Sequence, residues 1–172
     1  KQFYGKQVNP NGLVELNNYI FEGGFPRTVQ IDDLAAKRTY VTGVVNEIFE
    51  KDIKRRVKIK DKAAFEAVRN FVINNFGATS SIKSLTEALE KAGINITRAT
   101  VTKYITALVD AKILYDCNRF DMKSKKALAS EKKYYLADLS FYFAQNTDNR
   151  INFGPVLENI VYIYSRSLDY SV

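Results

Sequence analysis

The stretch Ser84-Leu85-Thr86-Glu87-Ala88-Leu89-Glu90-Lys91-Ala92-Gly93-Ile94-Asn95-Ile96-Thr97-Arg98-Ala99-Thr100-Val101-Thr102-Lys103-Tyr104-Ile105 decides how the chain folds. Ser84 and Glu87 stand at capping-box spacing, in which a hydroxyl serves the third backbone N–H and the acid reaches back. Leu85, Ala88, Leu89 and Ala92 then repeat at helical spacing, and Gly93 stops the helix. Thr97 is placed to cap a further helix. Its buried stripe is Val101, Tyr104, Ile105, Leu108 and Val109, and its exposed face is Arg98, Thr102, Lys103, Thr106 and Asp110.

Two strands are expected downstream, over Ile113–Phe120 and Lys132–Asp138. The polar, Lys-rich connection Asp121–Glu131 would make a long hairpin tip. Upstream, Phe65, Val68, Phe71, Val72 and Phe76 mark a helix over 62–76, with Gly77 as its C-cap. Residues 62–138 thus run helix, helix, helix, hairpin. That is the order of a winged helix, a helix-turn-helix whose third helix is followed by a wing. The expected fold class is mainly α with a small β-hairpin (α+β), a winged helix-turn-helix with flanking helices.

Leu13, Leu16, Tyr19 and Ile20 give a first amphipathic helix, broken by Gly23-Gly24-Phe25-Pro26. Two glycines without a following Lys-Ser/Thr are a weak phosphate-loop signal. Val41, Val44, Val45, Ile48, Phe49 and Ile53 predict a helix over 38–54, closed by Asp52-Ile53-Lys54-Arg55-Arg56. Cations at that end suit the helix macrodipole. Beyond Leu139–Ala144 and a polar stretch, Gly154-Pro155 opens a helix in which Leu157, Ile160, Val161 and Tyr164 line one face, with little visible partner for it. The expected division is 1–61 as an N-terminal helical segment, 62–138 as the winged-helix domain and 139–172 as the start of a further domain.

Composition removes whole classes of chemistry. The 172 residues hold no His, so Ser-His-Asp and Cys-His catalysis and His-metal sites are excluded. Cys117 is the sole cysteine, so there is no internal disulfide or Cys-zinc cluster; a reduced, cytoplasmic setting fits. No P-loop motif is present. Independent catalysis would fall to Asp32, Asp33, Glu47, Asp52 and Glu158. The adjacent Asp32-Asp33 could hold Mg²⁺ only with further converging acids, and a solvated pair near a helix start is the plainer reading. Tyr134-Tyr135 reads as sheet core, and Cys117 as buried and inert. No apolar run is long enough to span a bilayer. The chain starts at Lys1 and its only Met is Met122, so an excerpt of a longer chain is expected.

The formal charge of +7 is clustered. Lys51–Lys62 holds seven Lys/Arg against two Asp, a net +5, and Arg119–Lys133 holds six against two acids, a net +4. The remainder is −2. Clustered cations recruit phosphate by counterion release, although solvated helix ends and a loop would look the same.

Several strings, in this order, carry a resemblance: Gly23-Gly24-Phe25-Pro26, Val45-Asn46-Glu47-Ile48 leading to Asp52-Ile53-Lys54-Arg55-Arg56, Phe65-Glu66, Thr100-Val101-Thr102-Lys103-Tyr104-Ile105, Lys133-Tyr134-Tyr135-Leu136-Ala137-Asp138 and Leu157-Glu158-Asn159-Ile160-Val161-Tyr162. Over nearly the whole chain they resemble the C-terminal domain of unknown function of a large family of predicted prokaryotic AAA+ ATPases. The resemblance implies an upstream P-loop ATPase module, with ATP and Mg bound there and no cofactor in this segment. It implies a central winged helix and a tail that opens a restriction-endonuclease-like fold. Glu158 would match that fold's helix-borne acid, but the other acids of such a site are missing here.

The expected function is therefore a non-catalytic accessory segment of an ATPase. Arg98, Thr102, Lys103 and Thr106 would face double-stranded DNA, with Lys123, Lys125 and Lys126 on the wing touching phosphate. The alternative is a protein-interaction module that couples the ATPase to a partner or subunit, or joins copies in a homo-oligomer. Arg55 and Arg56 would then meet an acidic surface or a nucleotide phosphate across an interface. No membrane partner is expected.

Overall fold

A buried aromatic and aliphatic core joins three helices to a small sheet in the computed structural model, which describes residues 11–121, 126–146 and 151–168. Helices α4 (Lys62–Asn74), α5 (Ile82–Lys91) and α6 (Arg98–Asp110) pack with strands β1 (Thr79–Ser80), β2 (Leu114–Asp121) and β3 (Lys126–Leu136). The sheet is antiparallel in the order β1-β3-β2. The result is a mainly helical α+β fold. Phe65, Val101, Leu108, Leu114 and Leu136 are fully buried, and the Phe65 ring meets Phe49 and Tyr104 at centroid distances of 5.1 and 5.3 Å. Large apolar side chains at helical spacing make this core because each removes a stripe of apolar surface from water.

The helix starts follow side-chain chemistry. Asp61 caps α4 by accepting from Ala64 N–H (3.0 Å), and Thr97 caps α6 by accepting from Thr100 N–H (3.3 Å). The cap expected at Ser84 sits one turn earlier. Ser81 is in extended geometry and accepts from Ser84 N–H, while Ser84 Oγ accepts from Ser81 N–H. Ser84 thus takes the position expected for Glu87, which instead pairs with Lys83. The α5–α6 turn runs through Gly93 at φ +84°, a conformation that a side chain would strain. α4 ends at Asn74 with Asn75 as its cap, two residues before the expected Gly77.

The hairpin is longer than expected and its tip shorter. Pairing extends to Asp121↔Lys126, so four residues, 122–125, lie between the strands. A bulge between Asn118 and Arg119 jumps the register from Lys132 to Leu128. The Lys-rich composition of the second half conceals this pairing, because strand formation here does not depend on an apolar alternation.

The chain forms two compact units, Glu47–Ala137 with Ile151–Val172 and Lys1–Asn46 with Asp138–Arg150. Within them, α8 (Phe153–Ser167) packs on β3 and α7 (Ser140–Gln145) on α1 (Gly12–Glu22). The expected 38–54 helix is α2 (Leu34–Ile48), a π-helical turn at Phe49–Ile53 and the single turn α3 (Lys54–Arg56). In the N-terminal unit, Phe21 meets Phe143 and Phe25 meets Phe141. A Cβ at Gly23 (φ +77°) would fall 2.3 Å from Asp138 Oδ1. Gly24 N–H donates to Asp138 Oδ2 (2.7 Å), so the anion held by this glycine turn is the chain's own carboxylate.

Helix α8 turns a face inward that its apolar spacing does not mark. Its buried residues are Val156, Asn159 and Tyr162, while Leu157, Val161 and Tyr164 are exposed. The reason is a polar contact that hydropathy cannot register. Leu136 N–H donates to Asn159 Oδ1 (2.7 Å) and Asn159 Nδ2 donates to Leu136 O (3.0 Å). One carboxamide thus satisfies both backbone groups of a fully buried strand residue. Asn159→Ala orphans both groups and should cost on the order of 2–4 kcal/mol, with Asn159→Asp no better because its carboxylate faces the Leu136 carbonyl. Urea unfolding checks this as a lower midpoint at an unchanged slope.

Candidate nucleic-acid interface

Helix α6 exposes Arg98, Thr102, Lys103, Thr106 and Asp110, while Val101, Tyr104, Ile105 and Leu108 are buried. The expected outer face is therefore the exposed one. Thr102 Oγ1 donates to Arg98 O, a bond within the helix. Lys103 Nζ donates to Lys58 O (2.8 Å), and Tyr104 OH donates to Asp61 O (3.4 Å). These two contacts hold the loop before α4 against α6. They set segment 58–61, with Lys58 and Lys60 exposed, beside Lys103 and Tyr104 of α6.

Pairing decides which charges remain free to act outward. Lys51 pairs with Glu47, Lys54 with Glu50, Arg56 with Asp52 at 3.9 Å and Lys62 with Glu66. Among the described residues, Arg55, Lys58, Lys60, Arg98 and Lys103 have no carboxylate partner. Lys58 and Lys60 were missed by a reading that singled out Arg55 and Arg56. Their signal is the alternation Val57-Lys58-Ile59-Lys60, in which two exposed cations alternate with half-buried apolar residues. Lys123 and Lys125 lie outside the described residues. Lys126 begins β3, and its side chain lies outside them too.

The face of the sheet under α8 is a second polar cluster. Glu158 accepts from Lys133 Nζ and Tyr135 OH, each at 2.6 Å. Tyr135 stacks on Tyr162 at 4.0 Å, and the Arg166 guanidinium lies 4.5 Å from the Tyr115 ring centroid. Burial alone would raise the Glu158 carboxyl. The hydrogen bonds from Lys133 and Tyr135 and the Lys133 charge outweigh it and hold that carboxyl below the ordinary glutamate range. Tyr134 and Tyr135 are both sheet core, as expected. Cys117 is half-buried rather than buried, and burial together with the Asp116 charge pushes its thiol up, toward the unreactive protonated form.

The carboxylates weighed for catalysis are dispersed. Asp33 caps α2 by accepting from Ala36 N–H (2.7 Å), Glu47 and Asp52 sit in helix-surface ion pairs, and Glu158 is engaged as above. Among the described residues no group of three or more acids and Cys could hold a metal ion.

The fold and surface together define an α+β protein with a basic helix face. Residues 13–150 match the family described as Domain of unknown function (DUF8612), and the chain belongs to that family. It is 30% identical over 154 residues to Uncharacterized protein MJ1544 of Methanocaldococcus jannaschii, covering 90% of this chain and 34% of the relative. It is 28% identical over 150 residues to an uncharacterized protein of Haemophilus influenzae, covering 87% of this chain and 37% of that one. The chain thus spans about a third of the length of these archaeal and bacterial relatives. No solved structure matches it significantly. None of these matches ties the chain to an AAA+ ATPase. No described helix is long and apolar enough to cross a membrane.

The Glu158 cluster gives α8 a pH dependence. A depressed folded-state pKa contributes stability that is present above the unfolded glutamate value, roughly 4.3, and lost as pH falls through the folded value. The near-ultraviolet circular dichroism of the stacked Tyr135–Tyr162 pair should hold down to about pH 5 and decay below it. In Glu158→Gln this acid step should be reduced.

Proposed function

We propose that the chain is a non-catalytic accessory segment whose α4–α6 helices and β2–β3 hairpin act as a winged helix on double-stranded DNA. The observation that carries this reading is the seating of segment 58–61 on α6, which sets exposed Lys58 and Lys60 beside Lys103; among the described residues these three and Arg98 have no carboxylate partner. Exposed cations left without partners retain the charge that displaces counterions from phosphate. Thr102 and Thr106 supply hydroxyls between them, suited to base edges or phosphate oxygens. In the fuller form of this proposal the segment belongs to a cytoplasmic AAA+ ATPase whose upstream module binds ATP and Mg. The resemblance in the sequence strings supports that form, and the greater length of the relatives is compatible with it.

Fluorescence anisotropy of the 172-residue chain on a random-sequence duplex tests the DNA reading. Affinity should fall steeply between about 50 and 200 mM salt. Lys58→Gln with Lys60→Gln should weaken binding on all sequences alike and lower the salt slope by about 2. An absence of binding at low salt, or a slope untouched by these changes, removes the proposal.

A second reading, a protein-interaction module, is favoured by the outer side of α8. Phe153, Leu157, Val161, Tyr164 and Leu168 stand 45–63% exposed at spacings of four, four, three and four residues, which put them on one side of the helix. A second copy of the chain is the occupant that this self-complementary stripe suits. Sedimentation should then show concentration-dependent association that Val161→Glu abolishes. A monomer at every concentration excludes the homo-oligomer.

A further inference from the structure

Helix α2 and the C-terminal half of α7 line a groove of about 310 Å³ in the N-terminal unit. Arg38, Thr39 and Thr42 form one side, and residues 143–146 form the other. Thr42 Oγ1 donates to Arg38 O and, at 3.4 Å, to Ala144 O, which ties the two helices together.

The carboxamide of Gln145, in this lining, is unspent. Its Nε2 and Oε1 are both closed off from water, and neither has a hydrogen-bond partner. The buried Asn159 carboxamide shows the ordinary state, with both of its polar atoms bonded to Leu136. A donor and an acceptor orphaned on one side chain are rare in a folded protein and cost stability. They mark a place where a partner is missing.

The two atoms limit what can fill that place. A bare anion would face the Oε1 lone pairs and a bare cation the Nε2 protons, so either satisfies one atom and opposes the other. A base or sugar ring would seat on an aromatic face. Phe143 is only 2% exposed, with Phe21, Tyr142 and the Arg38 guanidinium against its ring. An amide meets the requirement, because it offers N–H beside C=O. In an extended chain the N–H and C=O of one residue point to the same side, and Asn159 takes up Leu136 in that way within this fold. The rim agrees with this. The Thr39 and Thr42 hydroxyls donate into their own helix, to Ala35 O and Arg38 O, and keep lone pairs for further backbone N–H groups. We propose that the α2–α7 groove binds an extended polypeptide segment by its backbone, with the Gln145 carboxamide pairing the N–H and C=O of one residue. Both carboxamide atoms are closed off where they stand, so the side chain turns into the groove on binding and exchanges an unpaired buried head for a paired one. Among the described residues the long extended segments, β2 and β3, pair with each other, so the occupant is a segment of a different protein rather than of a second copy. The inference does not rest on duplex binding, since no residue of α4–α6 lines the groove.

The test is a titration of the ¹⁵N-labelled 172-residue chain with the N-acetylated, C-amidated peptides Ala-Val-Ala, Val-Thr-Val and Ser-Leu-Ser, following the side-chain NH2 signals of Gln145. Glucose and adenosine serve as controls. The expected result is saturable movement of those signals by at least one peptide and none by either control. A depsipeptide analogue, with an ester oxygen in place of the central N–H, should bind about 3- to 10-fold more weakly, the loss of one hydrogen bond. Gln145→Leu should lose the binding and yet unfold at a higher urea concentration than the parent, because it removes the unpaired head and keeps the bulk. That gain separates loss of the site from loss of the fold. The proposal is overturned if no peptide saturates below about 10 mM, or if the ester binds as well as the amide. It is also overturned if glucose or adenosine moves the same signals, or if Gln145→Leu lowers the urea midpoint. Movement of the signals on concentrating the chain alone would seat a second copy in the groove and overturn the assignment to a different protein.

Discussion

The backbone of Leu136 sets the constraint around which the larger unit is built. Leu136 is fully buried at the end of β3, beyond the short pairing with β1, and its outward N–H and C=O need partners. The Asn159 carboxamide supplies both, as a neighbouring strand would. This fixes the rotation of α8 about its axis. Val156 and Tyr162 must turn inward with Asn159, Tyr162 then stacks on Tyr135, and Glu158 falls beside Lys133. Leu157, Val161 and Tyr164 are left outside by the same rotation. An apolar helix face is exposed here because a polar requirement on the opposite face outweighs it.

The basic face follows a similar logic of pairing. The run from Lys51 to Lys62 is dense in positive charge, but helical spacing places Glu47, Glu50 and Asp52 one turn before Lys51, Lys54 and Arg56. Those surface pairs contribute little to stability, and their main effect is to cancel charge locally. Past the helix the backbone turns extended at Val57, and among the described residues Lys58 and Lys60 have no carboxylate partner. The Lys103 bond to the Lys58 carbonyl then sets where that charge is presented.

Much of this was legible in the sequence. Thr97, the Val101–Leu108 stripe and Gly93 specified α6 and the turn before it, because caps, periodicity and a left-handed glycine are local properties. Local reading also narrowed the α6 outer face to the exposed residues observed. It misplaced the α5 cap because Ser81 and Ser84 both offer hydroxyls at workable spacing, and only the chain's entry direction selects between them. It did not show which side of α8 turns inward, because Asn159 counts as polar in any hydropathy pattern, while its role depends on a backbone group 23 residues away. The cavity between α6 and the sheet, lined by Thr102, Asp116 and Tyr134, was invisible for the same reason. Thr102, Asp116 and Tyr134 come together only through strand register, and a register cannot be read from a Lys-rich hairpin.

The bulge at Asn118/Arg119 has a bearing on how the protein behaves among copies of itself. β2 is an outer strand of the sheet, with one row of backbone donors and acceptors open to any extended chain. The register jump puts its extra residues, 129–131, on β3, so the eight residues of β2 are paired in two registers rather than one, and Asp116 and Arg119 add charge along the strand. The added local twist and the charge make that edge a poorer template for strand-by-strand growth.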